Sequence, residues 1–490
     1  MKILLITAIS ILFFSCYAGE DKENDEFTSN SIVVVDPILQ PGMVLQQNAV
    51  FAITGIGTPG EKIRVKCTWE DESNEHITTV LNDGRWSVAV ETPDASFVVQ
   101  SVSVQGRSLV NFNNILIGEV WLCAGQSNMY WLLKDAQNAE TEVANALHPN
   151  IRLLDMPRVT ADSLVDDINA EWKVCTPENA QWFSAVAYFF GRTLNKELDI
   201  PIGLIASNWG NTGAEVWTER TLILDEPELA AEALRKEATP HSDGSPHIAG
   251  SAYNAMIYPL RNLPIAGAIW YQGENNLDKP YLYPKLLKTM VEGWRSEWKS
   301  DFPFYIAQIC PYKREWDFLT NYANPAMRFM QAEASKQIDR SGIEVNDDIG
   351  ELENIHPKNK QDVGLRLAWL ALADSYGREE FDEKKCPVYD TYEVQEDRII
   401  VHFKYADLGL TTSDSNPPTL FEICGSDHKF YQAEALVEGS SMVLSNSAVK
   451  SPVAARLGWS YTKTTNLVGV NGLPVSVFRT YDWQDETEEQ

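Results

Sequence analysis

Residues 117–129, IGEVWLCAGQSNM, constrain the fold of this chain more than any other stretch. The segment 120–124 is a continuous apolar run, which is typical of a buried strand in a parallel sheet. The run ends at Gly125, Ser127 follows two residues later, and a helical pattern covers 128–147. A strand, a glycine turn, a serine and a helix lift a hydroxyl above the edge of an α/β sheet. There the positive end of the helix dipole favours a developing alkoxide.

The serine turn permits two interpretations. The nucleophile elbow has the pattern G-x-S-x-G, and this stretch matches only its first half, because Met129 stands where the second glycine would be. In the alternative interpretation, Ser127 only caps the helix that follows it. The other polar turns of the chain therefore provide the evidence that distinguishes a nucleophilic Ser127 from a helix-capping one.

Charge and the N-terminal segment limit the partners of the chain. A net charge of -29 over 490 residues, without basic clusters, argues against nucleic-acid or anionic-membrane binding. Residues 1–18 form an export signal whose apolar run is too short to span a bilayer. Either Cys16 becomes the lipidated first residue, with an acidic tether over 19–30, or cleavage follows Ala18. We expect an exported protein in the periplasm or at the cell surface, with lipidation as the favoured outcome.

The pattern of elements divides the chain into three parts. Short apolar runs separated by turn residues predict a β-sandwich-like domain over 31–113. From 114 to 384, strands alternate with helices, which predicts a parallel sheet covered by helices on both faces. Short strands return over 385–481 as a second β-rich domain, and an acidic tail covers 482–490. The cysteines after the export signal are scattered and lack metal-ligand spacing, so no metal site is predicted.

The middle part carries the elements that would build a site. Its predicted strands cover 115–123, 202–207, 265–271 and 304–309. Its predicted helices after the serine turn cover 185–198, 226–238, 281–298, 325–338 and 361–376. In such sheets the ligand crevice lies at the carboxyl ends of the strands. Polar turns that follow these strands are therefore expected to meet at one edge.

Three further turns join Ser127 at this edge. The second predicted strand leads into a turn that holds Gly210, whose backbone N–H can approach a ligand closely. The third strand is followed by Gln272, with Glu274 behind it. His356 lies in a loop just before the last helix. Each has a purely structural explanation, but four polar turns at one edge favour a chemical site.

These residue types suit acyl transfer. A serine hydroxyl is a poor nucleophile unless a base lies within ~3 Å, and a neutral histidine suits that task. A carboxylate would fix the tautomer of that histidine. The tetrahedral oxyanion needs donors that are already aimed at it. The backbone N–H groups of Ser127 and Gly210 and the side-chain amide of Gln272 could supply these donors.

Several motifs together resemble the sialate O-acetylesterase family of SGNH-type serine esterases. The motifs are GQSNM at 125–129, the turn at 209–210, WYQGE at 270–274 and IHPKNK at 355–360. Further matches at 43–47, 57–61, 84–86, 466–467, 472–474 and 478–480 extend the resemblance over nearly the whole mature chain. The resemblance implies a three-layer α/β/α hydrolase domain flanked by two β-rich domains. It also implies an O-acetylated carbohydrate as substrate and no metal or cofactor.

The resemblance assigns roles to particular residues. It implies Ser127 as nucleophile, His356 as base, and Ser127, Gly210 and Gln272 as oxyanion donors. Glu274 is expected behind these groups, where it would orient Gln272 or the serine turn. The family usually has two glycines after the tryptophan of the second motif, whereas Asn211 takes the second place here.

The acid of the triad is the main departure from the family. SGNH enzymes usually carry it three residues before the histidine, a position that Glu353 holds here, whereas many relatives have an aspartate directly before the Ile-His pair. Glu353 is therefore the candidate. Asp348 or a backbone carbonyl could orient His356 instead, and a serine–histidine dyad stays open.

The sugar is less constrained than the chemistry. We expect sialic acid, with acetylated xylan or another glycan as the alternative. Arg328, on a predicted helix with Gln331, could meet a substrate carboxylate, although a solvated helical face is the simpler explanation. A different class also stays open, namely a surface lipoprotein that binds glycan on an inactive esterase scaffold. The missing aspartate before His356 is the feature that keeps it open.

Overall fold

The computed structural model describes residues 33–239, 243–313, 322–460 and 463–483. The predicted export signal, the tether and Cys16 lie outside the described residues, as does most of the acidic tail. Within the described ranges, no helix combines the length and the apolar character needed to cross a membrane.

The N-terminal part is β-rich. Its strands are β1 (Val34–Val35), β2 (Val44–Gln46), β3 (Val50–Ile56), β4 (Lys62–Cys67), β5 (His76–Thr79), β6 (Arg85–Glu91) and β7 (Ser96–Gln105). β1, β3 and β6 form an antiparallel sheet, and β4 pairs with β5 and β7. Every second residue of β6 is buried, which is the pattern expected when one face of a strand packs on a core.

The long strand β8 (Leu109–Gly125) connects this part to the next. Its first half pairs with β7 and β2, and its second half pairs with two strands of the middle part. Residues 115–125 are buried without interruption, because both faces of the sheet are covered there. The expected boundary between 113 and 114 thus falls inside a single strand.

The middle part contains a parallel sheet, as predicted. Its further strands are β9 (His148–Asp155), β10 (Lys173–Cys175), β11 (Ile202–Asn208), β12 (Gly267–Tyr271), β13 (Phe304–Ala307) and β14 (Ser341–Glu344). The order is β10-β9-β11-β8-β12-β13-β14, and every pair is parallel except β10 with β9. β8 therefore lies in the middle of the sheet, where its carboxyl end is flanked by β11 and β12. Three of these strands, β9, β10 and β14, are not among those predicted from the sequence.

Helices cover the sheet. They are α1 (Ser127–Tyr130), α2 (Ala139–Ala144), α3 (Pro177–Ala180), α4 (Ala185–Leu198), α5 (Arg220–Leu224), α6 (Pro227–Glu237), α7 (Tyr283–Trp298), α8 (Ala323–Gln337) and α9 (Lys360–Asp374). The five predicted helices after the serine turn match α4, α6, α7, α8 and α9 within two residues at every end. Short 3₁₀ turns lie at Leu133–Asp135, Ala214–Trp217, Tyr258–Leu260, Glu274–Asn276, Pro280–Leu282 and Glu379–Lys384, with a π-helical turn at Tyr253–Ile257.

The continuous helix predicted over 128–147 is wrong. α1 ends after one turn because Trp131 has an extended backbone, with φ -48° and ψ 122°. Leu132 then forms a β-bridge with Ser184. The apolar spacing of this segment reflects contacts with the core around the sheet and not one helical face.

The C-terminal part is again β-rich. Its strands are β15 (Val388–Gln395), β16 (Arg398–Lys404), β17 (Leu410–Thr412), β18 (Phe421–Cys424), β19 (Phe430–Gln432), β20 (Glu434–Glu438), β21 (Ser441–Ser445), β22 (Ala454–Leu457), β23 (Leu467–Gly469) and β24 (Phe478–Arg479). Its core includes Ala326, Phe329 and Met330 of α8. This helix therefore joins the C-terminal part to the middle one through shared apolar packing.

Candidate active site

The serine turn is held by backbone contacts at the carboxyl end of β8. Gly125 has a φ of 146°, and a Cβ added there would lie 2.2 Å from the carbonyl oxygen of Tyr271, so this position needs glycine. The N–H of Gln126 donates to that same oxygen at 3.0 Å, and the N–H of Trp209 donates to the Gly125 carbonyl at 3.0 Å. The turn after β8 is thus fastened to both neighbouring strands, and it starts α1 at Ser127.

His356 reaches the serine from the far end of the middle part. Its Nε2 lies 2.8 Å from Ser127 Oγ, which is hydrogen-bond distance. The ring stacks on Trp131, with 5.1 Å between centroids and 26° between planes. Asn354 brackets the backbone of the histidine, because its Oδ1 accepts the His356 N–H and its Nδ2 donates to the His356 carbonyl. The imidazole is therefore held in both position and tilt.

Asn128, the residue after the serine, joins three parts of the site. Its Nδ2 donates to Glu274 Oε1 at 2.5 Å and to the carbonyl of Ile355 at 3.0 Å. Its Oδ1 accepts from Lys360 Nζ at 2.5 Å. A single buried amide thus connects the serine turn to the turn after β12, to the histidine loop and to the first residue of α9.

Burial shifts the pKa values of the groups around Asn128. It lowers the pKa of Lys360, which is 1% exposed, to about 8, and it raises the pKa of Glu274. Burial also lowers the pKa of His356, and the positive charge of Lys360 lowers it further. The imidazole is consequently neutral at neutral pH, which is the state that a general base requires.

Replacement of Lys360 by methionine should move the acidic limb of the pH–rate profile. Activity requires neutral His356, so it falls as the pH drops through the pKa of that residue. Without the Lys360 charge this pKa rises, and kcat/KM for p-nitrophenyl acetate should begin to fall at a higher pH than in the wild type. Lys358→Met, on an exposed side chain of the same loop, is the matched control and should keep the wild-type limb. An unmoved limb in Lys360→Met would contradict this electrostatic role.

Neither expected carboxylate reaches the histidine. Glu353 is 70% exposed on its side chain and forms an ion pair with Lys313 at 3.5 Å. Asp348 is held by both terminal nitrogens of Arg366, at 2.8 and 2.6 Å. Within the described ranges, no carboxylate forms a hydrogen bond with the His356 ring. The expectation that Glu353 acts as the acid is wrong in this structure, because its turn directs the carboxylate to solvent, and the geometry is that of a serine–histidine dyad.

Gln272 also differs from expectation. It is fully buried, and its Nε2 donates to the Thr212 carbonyl at 3.0 Å and to Asn276 Oδ1 at 2.8 Å. Its Oε1 accepts from the Tyr283 hydroxyl at 2.9 Å. Both amide hydrogens are thus used inside the protein, so this side chain holds the turn after β12 together and does not face the cavity.

Asn275 lies where an amide donor can face the reacting groups. It lines the same cavity as Ser127, and its backbone N–H donates to Gln126 Oε1 at 3.3 Å. Its Nδ2 donates one hydrogen to Asn211 Oδ1 at 2.8 Å. Among the described residues no second acceptor takes the other hydrogen. Gly210 lies on the same wall, and a Cβ added to it would be 3.5 Å from Ser127 Cβ.

Asn211 explains how the chain tolerates a departure from the usual glycine pair. Its φ is 56°, a left-handed conformation that asparagine adopts more readily than most residues. Its Nδ2 donates to Ser245 Oγ at 3.0 Å and to Asp243 Oδ2 at 3.1 Å. The side chain therefore ties the loop around 243–245 to Asn275 across the cavity wall.

The cavity over Ser127 has a volume of about 960 Å³. It lies at the carboxyl edge of the sheet, where the sequence pattern predicted the ligand crevice. Glu274 is part of its wall, and the Oε2 of this carboxyl has no hydrogen-bond partner in the described part of the chain. Arg328 does not line this cavity, because its side chain is 1% exposed and forms an ion pair with buried Asp347. The interpretation of Arg328 as a contact for a substrate carboxylate is wrong.

Four residues at the site had no predicted role. Asn128, Trp131 and Asn275 lie within three or four positions of predicted residues, and Lys360 closes the histidine motif. The only available signal was this proximity, because hydrogen bonds between distant turns leave no trace in local periodicity. A buried lysine is especially hard to foresee, since lysines are mostly exposed.

The fold and the site together define a class. A parallel α/β sheet that presents a serine–histidine pair at the carboxyl end of its central strand is the framework of a serine ester hydrolase of the three-layer α/β/α type.

Comparisons with known proteins identify the family. Residues 117–372 match the family described as "Carbohydrate esterase, sialic acid-specific acetylesterase". The sialate O-acetylesterase of Homo sapiens is 29% identical over 466 residues, which cover 85% of this chain and 86% of that protein. The sialate O-acetylesterase of Pongo abelii is 30% identical over 378 residues, covering 68% of this chain and 69% of that protein.

A solved structure supports the same conclusion. A carbohydrate acetylesterase from Xanthomonas citri superimposes with a TM-score of 0.83 at 29% sequence identity, covering 92% of this chain and all of that one. The chain belongs to the family of sialic acid-specific acetylesterases among the carbohydrate esterases. It is a hydrolase that acts on O-acetylated carbohydrate.

Proposed function

We propose that Ser127 is the nucleophile of this deacetylase and His356 its general base. The observation that carries the proposal is the 2.8 Å contact between Ser127 Oγ and His356 Nε2, both of which line the cavity. His356 Nε2 takes the hydroxyl proton while Oγ attacks the acetyl carbonyl, and the tetrahedral intermediate carries one negative charge on the former carbonyl oxygen. Collapse of the intermediate breaks the bond to the sugar oxygen, which leaves with the proton from His356.

The second half of the reaction repeats these steps with water. Neutral His356 takes a proton from water, the resulting hydroxide attacks the acetyl-serine carbonyl, and Ser127 Oγ leaves with the proton from the imidazolium. Acetate is released and the free serine is restored. Since no carboxylate forms a hydrogen bond with the His356 ring among the described residues, stacking on Trp131 orients the ring, and the Asn354 bonds hold the backbone of His356.

Three donors are proposed for the oxyanion. The N–H of Ser127 is the first of α1 and so has no acceptor within the helix. The N–H of Gly210 donates to no backbone acceptor in the described ranges and adjoins Ser127. The free hydrogen of Asn275 Nδ2 is the third, in the place that the family resemblance gave to Gln272.

The proposed substrate is O-acetylated sialic acid. The names of the mammalian relatives and of the matched family support it. Acetate release should be at least about tenfold faster, as kcat/KM, from O-acetylated sialic acid than from acetylated xylan, which corresponds to about 1.4 kcal/mol of preference. An enzyme-coupled acetate assay on both substrates measures this. A preference for acetylated xylan would refute sialic acid and leave the acyl-transfer chemistry in place.

We also propose that the chain acts outside the cytoplasm, on the basis of residues 1–18. Metabolic labelling with palmitate, carried out on the wild type and on Cys16→Ser, distinguishes a lipid anchor from simple secretion. Label that disappears in this variant supports the anchor, and an unlabelled wild-type protein excludes it.

A further inference from the structure

One arginine of the cavity has no ion-pair partner in the described part of the chain. The cations on the cavity wall are Arg158, Arg235 and Lys236. Arg235 is engaged by Glu232, at 2.8 Å, and by Asp278. Lys236 is engaged by Glu215 at 2.9 Å. Arg158, in contrast, forms no hydrogen bond or ion pair with any residue in the described ranges.

The guanidinium of Arg158 lies over an aromatic ring. Its Cζ is 4.4 Å from the centroid of Tyr130. This contact orients the group without using any of its five N–H donors. Asp155 lies close enough for the charge of Arg158 to act on it, but the two residues form no ion pair. The donors of Arg158 are thus available to a ligand.

The position of Arg158 relates it to the reacting serine. Arg158 follows the carboxyl end of β9. In the sheet, β11 lies between β9 and β8. Tyr130 is three residues after Ser127 in α1, so the two side chains lie on one helical face, with about 5–6 Å between Cβ atoms. Arg158, Tyr130 and Ser127 all line one cavity, so a group bound to Arg158 would share that cavity with the acetyl group on Ser127.

Each acidic residue of the wall, namely Asp243, Glu274 and Asp278, is engaged by another side chain of the protein. Asp278 is paired with Arg235, and Asp243 accepts hydrogen bonds from Asn211 and Ser245. Glu274 accepts a hydrogen bond from Asn128, and burial raises its pKa while the charge of Lys360 opposes that rise. Among the described residues, Arg158 is thus the cation of this wall that forms no ion pair.

We infer that Arg158 binds the carboxylate of an acidic, O-acetylated sugar and so determines the specificity of the deacetylase. Guanidinium and carboxylate match in planar, two-pronged geometry. The inference rests on the proposed function, since it places the substrate over Ser127. Sialic acids and uronic acids both carry such a carboxylate, and the test separates them.

The test compares each acid with its own methyl ester. O-acetylated N-acetylneuraminic acid and its carboxyl methyl ester have the same acetyl group but differ in charge, and an O-acetylated galacturonic acid oligomer and its methyl ester form the second pair. The ratio of kcat/KM, acid over ester, is measured for both pairs at low and at physiological salt. In the wild type we expect a ratio of about 10 or more for at least one pair, because a charge-assisted hydrogen bond is worth about a decade.

The variants decide whether Arg158 causes the ratio. In Arg158→Gln the ratio of kcat/KM, acid over ester, should fall to about 1, even if the overall rate changes as well. Arg158→Lys should keep part of this ratio. Arg398→Gln, on an exposed arginine of the C-terminal part, should keep the wild-type ratio. A wild-type ratio near 1 for both pairs, or a ratio that Arg158→Gln leaves unchanged, overturns the inference.

The outcomes also separate this inference from the proposed substrate. A high ratio for the uronate pair alone, lost in Arg158→Gln, supports Arg158 and refutes sialic acid. Efficient cleavage of the sialic acid pair with a ratio near 1 supports the substrate and refutes Arg158.

Discussion

Ser127→Ala should reduce kcat for p-nitrophenyl acetate by at least about 10⁴-fold, because it removes the atom that forms the acetyl-enzyme. The change deletes one hydroxyl and leaves the turn intact, since Gly125, Gln126 and Trp209 hold this turn through backbone atoms. The melting temperature should therefore stay close to the wild-type value. Stopped-flow and steady-state assays on the same preparation, with a thermal melt, measure both effects.

Labelling gives an independent readout of the same prediction. A fluorophosphonate probe should modify the wild-type protein once, at Ser127, and should not label Ser127→Ala. Ser447→Ala, in an exposed turn of the C-terminal part, is the matched control and should label normally. A wild-type protein that binds acetylated glycan but takes no label would instead be the non-catalytic lipoprotein that the sequence left open. Retained activity in Ser127→Ala would refute the mechanism.

Asn275→Ala should lower kcat by about 100- to 1000-fold, the usual effect of losing one oxyanion donor. The amide stabilises charge that exists only in the transition state, so KM should change much less than kcat. The bond between Asn275 Nδ2 and Asn211 Oδ1 is lost as well, but both side chains lie on the cavity wall, so the cost to folding is small. Steady-state kinetics over a range of substrate concentrations separate the two parameters.

Gln272→Ala is the informative comparison for this prediction. Its amide makes three buried hydrogen bonds, and their loss should lower the free energy of unfolding by about 1–3 kcal/mol for each group left without a partner. Urea titration measures that loss. If Gln272→Ala were as stable as the wild type and lost kcat, whereas Asn275→Ala kept it, the donor would be Gln272, as the family resemblance implied.

The sequence predicted the strands and helices that carry the site better than the tertiary contacts between them. The strand before Ser127 and the helices α4, α7 and α9 follow from apolar runs and periodicity, which are properties of neighbouring residues. The break after Tyr130 does not, because the backbone of Trp131 is set by a bridge between Leu132 and Ser184, over fifty residues away. Local propensity yields there to tertiary contacts.

The histidine loop shows the same limit within the site. Counting three residues back from His356 assigned the acid to Glu353, but a spacing does not determine which way a turn directs its side chains. Asn354 takes both the N–H and the carbonyl of His356, and the neighbouring carboxylate is left in solvent beside Lys313. Likewise, Gln272 and Asn275 are both polar residues of one turn, and only their hydrogen bonds show which of them faces the cavity.

By itself, the sequence determined the presence of a parallel sheet, four of its strands, the five long helices after the serine turn, and the motifs that hold Ser127 and His356, because these depend on residue type and near-neighbour spacing. The tertiary structure alone decided that Ser127 Oγ lies 2.8 Å from His356 Nε2, that Lys360 and not a carboxylate sets the charge near the imidazole, and that Arg158 has its donors free among the described residues. Those facts depend on which distant turns pack together and on how much water they exclude, and burial and long-range contact are not encoded in any short stretch of chain.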